Sequence, residues 1–254
     1  MNYKGFIFRL KRYTTKKLEP FNLYKKLAQR YINKLNKKEY HDMLNSPYFG
    51  ILTEKAVEYR FVFEQMLELQ PKKVLDIGTG TVALPHILAD CMCEVIATDN
   101  IRDYWRDGLF NRHWLVQDSD ITKEVISDDF DVVTCISTLE HIEKFDEAVK
   151  NIFNSLKSGG YLILTFPYNE EKYVDNVYIL PDSIVGKAKK YKTHSYSRKE
   201  LDKWCENNNA KIIKQEYWQL FTGKVWTTGE RLKFPKQVTK DEPHQHSNIL
   251  IKKL

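Results

Sequence analysis

No apolar run in this chain approaches the ~18 residues that a membrane-spanning helix needs. The first residues also lack the apolar core and small-residue cleavage site of a signal peptide. Mean hydropathy is −0.53, so a soluble protein in the cytoplasm is expected. There are four cysteines, Cys91, Cys93, Cys135 and Cys205, too few and too irregularly spaced for the disulfide framework of a secreted domain. Cys91 and Cys93 are one residue apart, but no second Cys/His pair of matching spacing accompanies them, so no metal is expected. With ten glycines and eight prolines in 254 residues, low-complexity and collagen-like chains are excluded as well.

The charge is unevenly placed. The formal net charge is +6, but residues 1–40 carry twelve Lys/Arg and only two acids. That is +10, which leaves −4 for the remaining 214 residues. Residues 1–50 therefore read as a basic helical N-terminal extension, with Phe6-Ile7-Phe8, Leu10, Leu18, Leu23, Leu27 and Ile32 as its apolar pattern. Weak contact of residues 1–40 with an anionic surface is one expectation for such an arm. The near-neutral body lacks the basic groove that a duplex nucleic acid requires.

Residues 51–254 read as one α/β domain, with a core over 72–167 and a C-terminal part over 168–254 that shapes the acceptor side. Short, continuously apolar runs predict strands over 73–77, 94–98, 113–117, 130–136, 161–166, 210–217 and 248–252. Helices are expected over 53–69, 82–91, 145–157 and 198–208, the last with a capping box from Ser197 to Glu200. The expected fold is a Rossmann-like, seven-stranded, mostly parallel sheet with an antiparallel last strand and helices on both faces. The long connection over 167–195 reads as a functional loop.

The first strand, Val74-Leu75-Asp76-Ile77, runs into Gly78-Thr79-Gly80, where glycines let backbone approach a ligand closely. The second strand ends in Asp99, at a distance suited to a ribose. These two features point to a nucleoside cofactor. Gly78-x-Gly80-x-x-Ala83 also satisfies a dinucleotide fingerprint, but a carboxylate at Asp76 suits a cation better than a pyrophosphate.

Gln117-Asp118, Phe130-Asp131-Val132-Val133, Leu139-Glu140-His141-Ile142 and the Gly159-Gly160 turn into Tyr161-Leu162-Ile163-Leu164 follow in order. With these motifs the chain resembles the class I S-adenosylmethionine-dependent methyltransferases, closest to the small-molecule type of ubiquinone and menaquinone biosynthesis. The resemblance spans about 72–167, weakens over 196–254 and does not reach 1–50. It implies S-adenosylmethionine as cofactor, with Asp76, Gly78, Thr79 and Gly80 around its methionine part. Asp99 would take the ribose hydroxyls, and Asn100 and Ile101 would border the adenine. Asp118 would hold the adenine amino group beside Ser119, and Ile136 and Ser137 would lie under the sulfonium. Val82 stands where the family often has a third glycine.

Methyl transfer to a hydroxyl calls for a base. His141, after the fourth strand at the carboxyl edge of the sheet, is the residue expected to serve. Tyr168, Asn169, His194, Tyr196, Trp218 and Trp226 are expected to line the acceptor pocket, with His244 and His246 flanking the last hairpin beside them and Tyr59 and Arg60 near the cofactor carboxylate. The expected acceptor is a small molecule or a glycan, the latter implying polysaccharide biosynthesis. Two alternatives stand beside it: an RNA methyltransferase guided by the basic arm, and a non-catalytic S-adenosylmethionine-binding protein.

Overall fold

The computed structural model describes residues 22–46, 50–105, 110–185 and 191–254. The chain divides into two compact units, Met1–Ile51 and Leu52–Leu254. Among the described residues of the first, helix α1 spans Asn22–Leu44, and Lys26, Leu27, Arg30, Tyr31, Lys34, Lys37 and Lys38 are exposed along it. Phe6-Ile7-Phe8, Leu10 and Leu18 lie outside the described residues, as do the side chains of Leu23 and Ile32.

The second unit alternates helix and strand. Helix α2 (Glu54–Leu69) ends on Gln70 in the left-handed region, because Pro71 cannot continue a helix. Strand β1 (Lys73–Ile77), short helix α3 (Leu84–Ala89) and β2 (Glu94–Asp99) follow. Then come α4 (Ile101–Tyr104), β3 (Val116–Asp118) and β4 (Phe130–Ile136). A 3-10 turn, Leu139–His141, leads to α5 (Phe145–Ser155) and β5 (Leu156–Pro167). Helix α6 (Arg198–Asn207) starts at the expected capping box of Ser197 and Glu200. Strands β6 (Ala210–Phe221), β7 (Arg231–Val238) and β8 (His246–Lys253) complete the unit.

The eight strands of the described residues form one sheet in the order β3-β2-β1-β4-β5-β8-β6-β7. Strands β3, β2, β1, β4 and β5 pair in parallel, and the last strand, β8, is antiparallel to both neighbours. The sheet thus has one strand more than the seven expected. The addition is β7, an edge strand with Pro235 in it; proline and charge are tolerated only where no further neighbour needs the backbone.

Side-chain alternation splits the core in two. Leu75, Ile77, Val133, Cys135, Leu162, Leu164, Ile249 and Ile251 pack with Ala148, Ile152 and Phe153 of α5 and Leu201 and Trp204 of α6. Their sequence neighbours Val74, Val132, Ile163 and Leu250 point the other way, onto Phe61, Val62 and Met66 of α2 and Leu84 and Leu88 of α3. Helices therefore cover both faces, and the carboxyl ends of β1, β2 and β4 are left to form a site. The connection after β5 is pinned at its described ends, with Tyr168 N–H on Gln245 O, Asn169 N–H on Tyr196 O and Val174 paired with Ser195.

Candidate active site

β1 ends against a turn that only glycine fits. Gly78 has φ +71°, and a Cβ there would sit 2.1 Å from Thr138 Cγ2. The N–H groups of Gly78 and Thr79 both donate to Thr98 O, at 2.9 and 3.2 Å. Gly80, at φ +58°, donates its N–H to Asp99 Oδ2 at 2.6 Å. The ends of β1 and β2 are thereby locked together.

Asp76 lies beneath this turn, 1% exposed. Its carboxylate accepts from Thr134 Oγ1 at 2.6 Å and from Thr79 Oγ1. Burial pushes its pKa up to about 6, although both hydroxyls favour the charged form. Among the described residues no lysine or arginine forms an ion pair with it. A buried carboxylate held only by hydroxyls suits a cationic ligand and disfavours a diphosphate. Asp99 is partly buried. Burial raises its pKa and the nearby Asp118 adds to the rise, while the Gly80 N–H and the Trp105 side chain act the other way. Two carboxylates about a glycine cradle fit the sulfonium, ammonium and ribose hydroxyls of S-adenosylmethionine.

A cleft of about 440 Å³ opens beside this turn. Gly78, Asp99, Asn100, Ser119, Ser137 and His141 of the expected residues line it. Asp76, Thr79, Gly80 and Ile136 form its support. Asp118 is turned to other work: its Oδ1 accepts from the N–H groups of Ile101 and Arg102, and Arg102 Nε lies 2.7 Å from Oδ2. Asp120, two residues on, lines the cleft. Ser137 is held at φ +46°, an unusual conformation for a residue with a side chain. Its N–H donates to Thr165 O and Oγ1, both at 3.0 Å.

His141 stands on the same wall as Tyr104 and Ile142. Its Nδ1 is 3.0 Å from Lys192 O, so Nδ1 carries the proton and Nε2 is the bare nitrogen. Burial lowers its pKa, against the Lys192 carbonyl, which favours the neutral ring.

The residues expected around the acceptor are mostly committed elsewhere. Tyr168 and Tyr196 are fully buried; their hydroxyls donate to Glu170 Oε2 and Leu139 O. Asn169 spans to Lys172 O and Ser195 Oγ. His194 is 1% exposed and meets Tyr173 OH at 2.9 Å. Trp218 donates to Glu216 Oε2 and lies under Arg60 at 5.5 Å, and Arg60 itself bridges Glu64 and Glu216. Trp226 packs against His246, ring centroids 5.7 Å apart.

Several site residues were not foreseen. Asn111 braces the glycine turn from outside, donating to Gly80 O at 2.9 Å and Val82 O at 3.0 Å. Lys55 and Glu58 of α2 form an ion pair behind Ser137, with Glu140 of the 3-10 turn near them and its pKa pushed by burial up to about 8: Lys55 Nζ lies 2.9 Å from Glu58 Oε2, and Ser137 Oγ donates to Glu58 Oε1. A lone buried acid on an amphipathic helix gives no sequence signal beyond its conflict with the apolar face.

The family described as methyltransferase domain matches residues 54–215, more than half of the chain. The ubiquinone biosynthesis O-methyltransferase of Coxiella burnetii is 28% identical over 163 residues, 59% of this chain and 68% of the relative. That of Glaesserella parasuis is 26% identical over 172 residues, 61% and 72% of the two chains. Among solved structures, the 1,6-didemethyltoxoflavin-N1-methyltransferase of Burkholderia thailandensis, with its substrate and S-adenosylhomocysteine bound, shares the fold at TM-score 0.54 and 11% identity, covering 89% of both chains. An S-adenosylmethionine-dependent methyltransferase of Methanosarcina mazei shares it at TM-score 0.50 and 16% identity, over 76% of this chain and 97% of the other. The family match over 54–215, with the sheet order and the acidic glycine turn, makes this chain a class I S-adenosylmethionine-dependent methyltransferase.

Proposed function

We propose that the protein methylates a hydroxyl of a small, flat acceptor. The observation that carries the cofactor half of this reading is Asp76: a carboxylate buried against two hydroxyls, in need of a cation. The oxygen half draws on the relatives named ubiquinone biosynthesis O-methyltransferase.

When bound, S-adenosylmethionine supplies a methyl group on a positively charged sulfur that departs as a neutral sulfide. Asp76 faces the positive methionine part across Gly78, Thr79 and Gly80. Asp99 accepts from the ribose hydroxyls. Asn100, Ile101 and Ser119 border the adenine, with Asp118 shaping that wall by holding α4 in place. Ile136 and Ser137 form the floor at the methyl end. His141 contributes its bare Nε2 as an acceptor for a hydroxyl in the cleft. These residues align the reacting groups and keep water away.

A small acceptor is favoured over a glycan because Trp218 and Trp226 are buried and do not present open faces for sugar stacking. Contact between the exposed basic residues of α1 and an anionic surface is a separate part of the reading. Calorimetric titration with S-adenosylmethionine, S-adenosylhomocysteine and NAD tests the cofactor, followed by a methyl-transfer screen of catechols, amines and sugar hydroxyls. Binding of NAD alone, or tight S-adenosylmethionine binding with transfer to none of these acceptors, would overturn the proposal.

A further inference from the structure

Helix α1 carries its charge on one side. Between Asn22 and Lys38 the sequence has six Lys/Arg and no acid. Lys26, Arg30, Lys34 and Lys38 follow one another at i, i+4 spacing and form a stripe along the helix, and Lys37 falls on the same side. All five are exposed. On one flank of the stripe lie Gln29 and Asn33, whose side chains bond each other at 2.9 Å. On the other flank lie Leu27, Tyr31 and Leu35, again at i, i+4 spacing. Leu27 is 53% exposed and Tyr31 65%, while Leu35 is half-buried.

A helix that is merely solvated mixes charges of both signs, so that i, i+4 pairs attract. Here the i, i+4 neighbours are like charges, which repel and work against the helix. The next acids along the chain, Glu39 and Asp42, come only beyond the stripe. A dense anionic surface relieves that repulsion, and the apolar edge beside the stripe decides which surface fits. A nucleic-acid backbone or an anionic glycan pairs with the cations but offers Leu27 nothing. The boundary of a bilayer serves both rows, with headgroups for the stripe and acyl chains about 5–10 Å deep for the apolar edge. Tyrosine, with an apolar ring and a polar tip, favours that boundary.

We propose that α1 is a membrane-surface anchor, with Lys26, Arg30, Lys34, Lys37 and Lys38 on the headgroups of an anionic bilayer and Leu27 and Tyr31 among its acyl chains. The proposal rests on the surface contact named above for α1 and identifies the surface as lipid. The two rows run along the helix, so α1 lies flat in the interface; among the described residues no helix is long and apolar enough to cross a membrane. Each cation at the surface strengthens attachment about fivefold, and each apolar side chain taken out of water about tenfold. Both units belong to one chain, so the anchor concentrates the methyltransferase unit at that surface.

The test uses the full-length protein with phosphatidylcholine vesicles, made with and without phosphatidylglycerol, and a single-stranded RNA as the competing polyanion. The parent is expected to sediment with the phosphatidylglycerol vesicles and not with phosphatidylcholine alone. Lys34→Gln should weaken that binding about fivefold. Leu27→Ser combined with Tyr31→Ser should weaken it about tenfold or more, with S-adenosylhomocysteine affinity preserved. Tyr31→Trp should add fluorescence that brominated acyl chains quench. If the double serine variant binds within about threefold of the parent, or the added fluorescence escapes quenching, α1 does not enter the acyl region: the anchor falls while the surface contact stands. A parent that binds the RNA but not the phosphatidylglycerol vesicles overturns the lipid assignment in favour of nucleic acid. A parent that binds neither removes the surface contact itself.

Discussion

Gly78→Ala and Gly80→Ala separate two requirements that sequence motifs merge. Both glycines have positive φ, +71° and +58°, and an alanine in that region costs about 1–2 kcal/mol. At Gly80 that is the whole effect, because nothing lies within 4 Å of the added Cβ. At Gly78 the new carbon would lie 2.1 Å from Cγ2, 2.4 Å from Oγ1 and 2.7 Å from Cβ of Thr138. Rotating Thr138 moves the first two atoms but not the third, so backbone must give way. Overpacking of this kind adds about 1–3 kcal/mol. Gly78→Ala is therefore expected to cost about 2–5 kcal/mol in denaturant unfolding, against about 1–2 for Gly80→Ala. Calorimetry should show S-adenosylhomocysteine binding at least about tenfold weaker in Gly78→Ala, since 1.4 kcal/mol of cleft distortion suffices for that. Adding Thr138→Gly, which removes all three clashing atoms, should recover the overpacking part and leave the φ part. Equal costs at the two glycines, or no recovery in the double variant, would refute the close-approach argument.

Asp76→Asn tests the buried carboxylate through pH. An acid whose folded pKa is about 6, against an ordinary 3.8, favours folding while protonated, so its contribution is lost as pH rises through that window; with about 1.4 kcal/mol per unit, the parent protein without cofactor should lose about 3 kcal/mol there and Asp76→Asn should not. Asp99→Ala leaves the Gly80 N–H without its acceptor and removes the ribose partner; S-adenosylhomocysteine affinity should fall by about 10- to 100-fold, and unchanged affinity by calorimetry would remove Asp99 from the site. Replacing Lys26, Arg30 and Lys34 of α1 by glutamate should abolish sedimentation of the full-length protein with phosphatidylglycerol-containing vesicles, at about 1 kcal/mol for each cation; vesicle binding that survives the exchange would refute the surface contact.

The parts legible in the sequence were those where local chain chemistry and fold agree. Val74-Leu75-Asp76-Ile77 followed by Gly78-Thr79-Gly80 had to be a buried strand and a close turn, and strands with apolar residues at every position implied helices on both faces. β7 escaped notice because Arg231–Val238, with Pro235 and three basic residues, reads as loop; only its place at the sheet edge makes it a strand. Tyr168, Tyr196 and Trp218, all buried, show another limit: an aromatic near a site in sequence carries no mark of whether its ring faces a cavity or the core. Glu58 and His246, whose Oε1 and Nε2 lie 3.4 Å apart, show the deeper limit: they are 188 positions apart in the chain, and although His246 draws notice beside the last hairpin, Glu58 reads as an ordinary acid on a helix. What makes them informative is a count of donors and acceptors that exists only once α2, β4 and β8 meet: Nε2 faces two acceptors, Glu58 Oε1 and Asn248 Oδ1, and so Nδ1 must be bare. A sheet edge that gathers strand ends from distant parts of the sequence brings such pairs together, and there hydrogen-bond accounting reads chemistry that no motif encodes.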